Sequence, residues 1–202
     1  MNDNTGNREQ LSTLWQGVLE GNTIAFSNIH NNLFEGLFNY ALKVVEDGDL
    51  ANDAIQELFI RIWTRRTTIG HLEKVKEYFF SSLRRQLLNE LRNLQLRQLK
   101  IKAITSPNID FSPEEILIKN EEQSIEKEKI LQLLNELPTR QKEVIFLHYF
   151  QNLDYSDIAK IMDINYQSVL NLTQKALQKL RAAYFVFLSC IGFSNFFKIF
   201  SK

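Results

Sequence analysis

The chain has 202 residues, enough for one or two small domains. Its 24 basic and 24 acidic residues give a formal net charge of zero, which excludes a uniformly charged nucleic-acid binder. The single cysteine, Cys190, excludes an intramolecular disulfide and a multi-cysteine zinc site. The first ten residues lack the apolar core of a signal peptide, and no uninterrupted apolar run of about 18 residues would span a membrane. These features predict a cytoplasmic protein.

Apolar residues at helical spacing predict an all-α chain of two small helical domains. The low glycine and proline content, 7 and 3 residues, agrees with this prediction. Residues 1–10 are expected to be disordered. Gly48 is expected to end one helix and Asp49 to cap the next. The helices of the first domain are predicted over residues 11–19, 25–45, 50–65 and 72–99, the last as one long basic helix or a broken pair.

A linker is predicted over residues 100–124, because residues 103–113 hold two of the three prolines together with Ser, Asn and Asp. A helix is expected to resume at Pro113-Glu114. Charge is uneven around the linker: residues 84–102 hold six basic side chains, and residues 114–129 hold six acidic ones. The domains are therefore predicted over residues 11–99 and 125–183, joined by a flexible tether.

A phenylalanine-rich tail, residues 184–202, follows the second domain. Phe185–Phe200 holds six of the 15 phenylalanines, with interruptions expected at Gly192, Ser194 and Asn195. Three interpretations remain open: a helix that packs on a lobe, a docking site for a partner, or a membrane-surface helix.

The segment 137–181 has the pattern of a helix-turn-helix. A short apolar helix around Ile158 is broken at residues 163–165, and Val169, Leu172, Ala176 and Leu180 form one stripe of a second helix. Asp154 and Asn165 occupy N-cap positions. Two helices joined by so short a turn can present the second one to a DNA major groove. Periodicity alone leaves a plain packing unit equally open.

A second motif resolves that ambiguity. Residues 49–63 read Asp-x-x-x-Asp-x-x-Gln-Glu-x-Phe-x-Arg-x-Trp, and the helix-turn-helix block follows about 75 residues later. Together the two blocks resemble a sigma factor of bacterial RNA polymerase, in the extracytoplasmic-function class. Residues 49–63 resemble that family's region two, and residues 137–181 resemble its region four. The resemblance covers about residues 20–95 and 128–183.

The resemblance implies roles for three sets of residues. The first helix would dock on the clamp of core RNA polymerase, and the residues implied are Asp53, Gln56, Glu57 and Arg61. Cations for phosphates and rings for bases suit melting of the minus-ten element. The residues implied there are His71, Lys74, Tyr78, Arg84, Arg85, Asn89 and Arg92. Side chains beside the apolar stripe of the recognition helix would read the minus-thirty-five element, because Gln and Asn can pair with adenine. They are Tyr166, Gln167, Ser168, Asn171, Gln174 and Lys175.

Other functions have weaker support. The three histidines lack ligand-spaced partners, and no phosphate loop or nucleophile elbow occurs, so no catalysis, metal, cofactor or small-molecule substrate is expected. The expected partners are core RNA polymerase and promoter DNA, and an anti-sigma factor would fit the family. The alternatives are a free-standing helix-turn-helix regulator and a helical interaction adaptor. The Asp53-Gln56-Glu57 block argues against the regulator, and the Arg84-Arg85 cluster argues against the adaptor.

Overall fold

The computed structural model describes residues 3–97, 109–112 and 124–200, and all regular elements within these ranges are helical. The all-α prediction is confirmed. The helices are α1 (Asp3–Leu19), α2 (Thr23–Val45), α3 (Gly48–Ile69), α4 (Val75–Arg97), α5 (Ser124–Asn135), α6 (Thr139–Ile145), α7 (Tyr155–Met162) and α8 (Tyr166–Phe200). Helix α6 continues into a short π-helical turn, Phe146–Phe150.

Helices α1 to α4 form the N-terminal lobe, around a core rich in aromatic rings. The indole N–H of Trp15 donates to the carbonyl of Gly70 at 2.8 Å, and the Trp15 ring meets Phe79 edge-on at 6.4 Å. This contact ties α1 to the end of α3 and to α4. Phe59 is buried in the same core and contacts Phe79 at 5.1 Å between ring centroids.

The turn between α2 and α3 differs from the prediction. Gly48 lies inside α3, and Glu46 takes the left-handed conformation, with φ 57°, at the end of α2. The carboxylate of Asp47, rather than that of Asp49, caps α3 by accepting the N–H groups of Asp49 and Leu50 at 2.9 and 3.0 Å. The expected roles of Gly48 and Asp49 are therefore wrong, because the first cap-forming side chain in the turn comes two residues earlier.

The expectation of disorder over residues 1–10 is also wrong from Asp3 onward, because α1 begins there. The first turns of α1 have few apolar positions, so periodicity could not predict them. A long-range contact fixes this end of the helix: the guanidinium of Arg8 pairs with Asp154 at 2.7 Å and Asp157 at 2.5 Å in the other lobe.

Helices α5 to α8 form the C-terminal lobe, and α7 and α8 are the predicted helix-turn-helix. Asn165 caps α8 as expected, since its side-chain oxygen accepts the N–H of Ser168 at 2.7 Å. Asp154 occupies the N-cap position of α7, but its side chain makes no capping hydrogen bond. Val169 and Ala176 are buried, as the apolar stripe predicts.

Helix α8 runs without a break from Tyr166 to Phe200, so the interruptions expected at Gly192, Ser194 and Asn195 are wrong. The expected helix start at Pro113-Glu114 lies outside the described residues. Within the ranges that the structure describes, no helix is long and apolar enough to cross a membrane.

The two lobes are docked, and residues 109–112 of the predicted linker take part in the packing. Ile109 and Phe111 are buried, and the Phe111 ring lies 5.2 Å from Phe150. The Asn135 side chain holds the Phe111 backbone with two hydrogen bonds, of 2.7 and 3.0 Å. At residues 109–112 the chain is therefore packed against the C-terminal lobe, whereas the sequence pattern predicts a flexible tether there.

Candidate nucleic-acid and polymerase interfaces

The outer face of α3 carries the predicted polymerase contacts. Asp53, Gln56 and Glu57 are exposed, and Arg61 is half-buried. Ile60 lies on the same face and is 67% exposed. Positions 53, 56, 57 and 60 are three or four residues apart, so their side chains are adjacent on the helix surface.

A hydrogen-bond network that helical periodicity does not predict orders part of this face. The amide oxygen of Gln86, on α4, accepts from Arg61 at 2.8 Å, and its nitrogen donates to Glu57 at 3.0 Å. The same nitrogen donates to the Ala54 carbonyl at 3.2 Å. Gln86 therefore holds Glu57 and Arg61 in one arrangement and connects the predicted polymerase helix to the predicted DNA helix.

The residues predicted to bind the minus-ten element fall into two groups. His71, Arg85, Asn89 and Arg92 are exposed. Positions 85, 89 and 92 follow each other at helical spacing, so they form one stripe along α4. The structure therefore leaves one cationic stripe of α4 accessible to a large ligand.

Arg84 belongs to the second group and points toward the C-terminal lobe. It is 7% exposed, and its Nε and Nη2 donate to the carboxylate of Glu143 at 2.7 and 3.3 Å. The hydroxyl of Tyr40 donates to the same carboxylate at 2.9 Å. Burial alone would lower the pKa of Arg84, but its hydrogen bond to Glu143 and the charge of that carboxylate outweigh burial and raise the pKa. Burial, then the Glu143 charge, raises the pKa of Tyr40 well above its usual value, so Tyr40 remains a donor.

Lys74 also faces the C-terminal lobe. Its ammonium lies 2.5 Å from a carboxylate oxygen of Asp157, whose other oxygen is bound by Arg8. Next to it, the Lys76 ammonium donates to the carbonyl of Gln151 at 2.6 Å. Burial, with a smaller contribution from the charge of Arg8, lowers the pKa of Lys76 to about 8. Tyr78, the remaining predicted residue, is half-buried against the core. The basic face that contains Lys74 and Arg84 is thus covered in this conformation.

The recognition helix α8 exposes most of its predicted contacts. Tyr166, Gln167, Asn171, Gln174 and Lys175 are exposed, and Ser168 is half-buried. The Gln167 amide nitrogen donates to the Asn171 side-chain oxygen at 3.2 Å, which aligns two amides along one stripe. Side chains of this type can form paired hydrogen bonds with base edges in a major groove.

Comparison with known proteins agrees with this architecture. The family model for Sigma-70 region 2 matches residues 34–97, and the model for Sigma-70, region 4 matches residues 127–180, together more than half of the chain. RNA polymerase sigma factor SigV of Bacillus subtilis (strain 168) is 28% identical over 147 residues, which cover 73% of this chain and 83% of SigV. The ECF RNA polymerase sigma factor SigM of the same organism is 24% identical over 162 residues, covering 80% and 96% of the two chains.

Two solved structures share the fold. CnrH in complex with the cytosolic domain of CnrY has a TM-score of 0.57 at 16% identity, covering 88% of this chain and 98% of the other. The sigma factor RpoE in complex with the anti-sigma factor NepR from Bartonella quintana has a TM-score of 0.58 at 17% identity, covering 80% and 97%. With both sigma-70 regions matched in order and relatives covered over most of their length, the chain belongs to the sigma factors of bacterial RNA polymerase, in the extracytoplasmic-function class.

Proposed function

We propose that this sigma factor binds core RNA polymerase through the outer face of α3, melts the minus-ten element with α4, and reads the minus-thirty-five element with α8. The observation that carries the proposal is the division of each helix into two faces. On α3, the apolar residues Ala54, Leu58 and Ile62 are buried, while Asp53 and Gln56 remain available to a partner.

Ile60 adds an apolar anchor to the polymerase surface. An exposed isoleucine ringed by polar side chains resembles the centre of an interface, where a few buried residues supply most of the binding energy. Gln86 supports the same surface, because it fixes the side chains of Glu57 and Arg61 before a partner arrives.

Promoter DNA would meet two separate surfaces. The α4 stripe of Arg85, Asn89 and Arg92 offers cations for phosphates and an amide for a base edge. On α8, Gln167, Asn171 and Gln174 offer amides for adenine, and the first cation of the helix is Lys175. Weak binding by either surface is sufficient if the polymerase holds both on one promoter, since linked contacts reinforce each other.

The domain assignment stays a proposal: residues 11–99 for polymerase and minus-ten binding, and 125–183 for minus-thirty-five binding. The protein would act in the cytoplasm, beside RNA polymerase, and would catalyse no reaction itself, as is general for sigma factors. An anti-sigma partner is proposed because RpoE of Bartonella quintana was solved with one. A free-standing helix-turn-helix regulator is the competing function, and it would not need core polymerase.

Run-off transcription tests the proposal, with purified bacterial core polymerase and the promoter upstream of the chain's own gene. A promoter-dependent transcript should appear only when the protein is added. If wild-type protein neither binds core polymerase nor supports a transcript, the sigma function is wrong and the free-standing regulator becomes the leading function.

Matched substitutions locate the two surfaces. Ile60→Ala should weaken binding to core polymerase by about tenfold, the usual effect of losing an interface anchor. Ile24→Ala is the control, because Ile24 is 71% exposed on α2, outside the proposed surface. Likewise, Gln174→Ala should lower transcription from the native promoter, while Gln178→Ala, one turn further along α8, should have less effect.

A further inference from the structure

Leu170 is an apolar residue on the side of α8 that is proposed to read DNA. It lies three residues after Gln167 and four before Gln174, so the three side chains are neighbours on the helix surface. Leu170 and both glutamines line one groove along α8, which has a volume of about 450 Å³. The space beside Leu170 can therefore receive part of a ligand without any movement of the helix.

Leu170 differs from the leucines of α8 that pack the C-terminal lobe. Val169 and Ala176 are fully buried and form the inner side of α8. Leu172 and Leu180 are half-buried and pack against the same core. Leu170 is also half-buried, but it is rotated by about 100° from Val169, because an α-helix has about 3.6 residues per turn. Its side chain contributes to the wall of the groove, beside the exposed amides.

The side chains at positions 167, 170, 171 and 174 offer three amides and one apolar group. In the major groove of DNA, asparagine and glutamine pair with adenine, arginine and lysine pair with guanine, and apolar groups contact the methyl group of thymine. The first cation of α8 is Lys175, which follows these four residues. The four side chains therefore suit A·T pairs, in which the amides and the leucine recognise different bases.

The length of this stripe sets the number of base pairs that it can read. Seven residues separate Gln167 from Gln174, which is about 10.5 Å along an α-helix. Successive base pairs are about 3.4 Å apart, so the stripe covers about three steps of the duplex. Leu170 lies near the middle of the stripe. A thymine in contact with Leu170 is therefore flanked by base pairs within reach of the amides.

We propose that Leu170 is a specificity-determining residue of this sigma factor, which recognises the C5 methyl group of one thymine in the minus-thirty-five element. The leucine side chain packs against that methyl group, and the contact removes both from water. Gln167, Asn171 and Gln174 pair with adenines of the same or neighbouring base pairs. This inference rests on the proposed function, because it takes promoter DNA as the ligand of α8.

Replacement of thymine by deoxyuridine isolates the methyl group. Deoxyuridine keeps the pairing with adenine and the O4 acceptor, and it lacks only the C5 methyl group. Each thymine of the minus-thirty-five element, on either strand, is replaced singly in a labelled duplex of the promoter used for run-off transcription. Binding of the complete holoenzyme to each duplex is measured by fluorescence anisotropy.

With the wild-type protein, one of the replacements should weaken promoter binding by about fourfold, the effect of losing the burial of one methyl group. With Leu170→Ala the same replacement should have no effect, since the contact is already lost. Gln178→Ala is the control and should retain the full sensitivity, because Gln178 is an exposed residue that lines the same groove.

A second variant covers the case in which Leu170→Ala does not fold, which circular dichroism reports. Leu170→Gln keeps a long side chain that favours a helix, but its end is polar, so this variant should also lose the sensitivity to deoxyuridine.

A wild-type holoenzyme that binds the promoter but is insensitive to every replacement would overturn the proposal without any variant. Equal sensitivity in the wild type and in a folded Leu170 variant would also overturn it, because another residue would then read the methyl group. Neither result affects the sigma function, since the promoter is still bound. The sigma function fails, and this inference with it, only if the wild-type protein supports no promoter-dependent transcript.

Discussion

Tyr40→Phe isolates one hydrogen bond between the lobes. The Tyr40 hydroxyl donates to Glu143 at 2.9 Å, and both side chains are fully buried. The phenylalanine ring would keep the packing of Tyr40 against Phe80 and Phe146, whose centroids lie 5.7 and 6.2 Å away. A hydrogen bond to a charged group contributes about 1.5–3 kcal/mol. Because Arg84 still satisfies Glu143, we expect Tyr40→Phe to weaken docking of the two lobes by about 1.5 kcal/mol, which is roughly tenfold in the docking equilibrium.

Tryptophan fluorescence during urea unfolding measures this loss, because both tryptophans, Trp15 and Trp63, lie in the N-terminal lobe. Docking stabilises that lobe, so Tyr40→Phe should lower its unfolding midpoint. Tyr149→Phe, at an exposed tyrosine, is the control and should stay within about 0.5 kcal/mol of wild type. In a Glu143→Ala background the Tyr40 hydroxyl has lost its acceptor, and Tyr40→Phe should have almost no effect. An equal loss in both backgrounds would refute an interlobe role for the hydroxyl.

Three further predictions concern other contacts. Burial, with a smaller contribution from the charge of Arg8, lowers the pKa of Lys76 from 10.5 to about 8, so the folded form binds fewer protons and its stability should rise as the pH increases from 8 to 10.5. Lys76→Met should abolish that rise in urea midpoints. Asn165→Ala removes the cap on the Ser168 N–H and should cost the C-terminal lobe about 1 kcal/mol in thermal unfolding. Asn135→Leu removes both hydrogen bonds to the Phe111 backbone, so hydrogen exchange at the Phe111 amide should accelerate; an unchanged rate would contradict the anchoring role.

Elements with a long apolar repeat were predictable from sequence. The predicted helix over residues 25–45 corresponds to α2, Thr23–Val45, because Ile29, Leu33 and Leu37 repeat at helical spacing and are buried. The start of α1 was not predictable, since its first turns depend on contacts between Arg8 and the other lobe. Local pattern determines an amphipathic helix, whereas an ion pair over such a sequence distance depends on the finished fold.

The residues of the candidate site divide in the same way, into positions that local pattern predicts and positions that depend on the finished fold. The outward position of Gln56 on α3 follows from helical periodicity, but the exposure of Leu50 does not, because an apolar side chain one turn before the buried Ala54 is expected to be buried with it. Arg84 and Arg85 are neighbours in sequence and were given one role. Only Arg85 is exposed, since Arg84 lies at the border of the apolar stripe and the C-terminal lobe covers it. Which arginine is buried thus depends on the docking of a second lobe.

The charged character of the interface between the lobes has a physical consequence. Replacing a buried ion pair with apolar side chains often increases stability, so Glu143 with Arg84 is not the strongest way to join two lobes. Apolar side chains at these positions would, however, form an exposed apolar patch on each lobe after separation, and such patches promote aggregation. Carboxylates and guanidinium groups are well solvated when the lobes are apart, and geometry restricts them to one docked arrangement. A contact of this kind suits two lobes that dock in one specific arrangement and remain soluble when they separate.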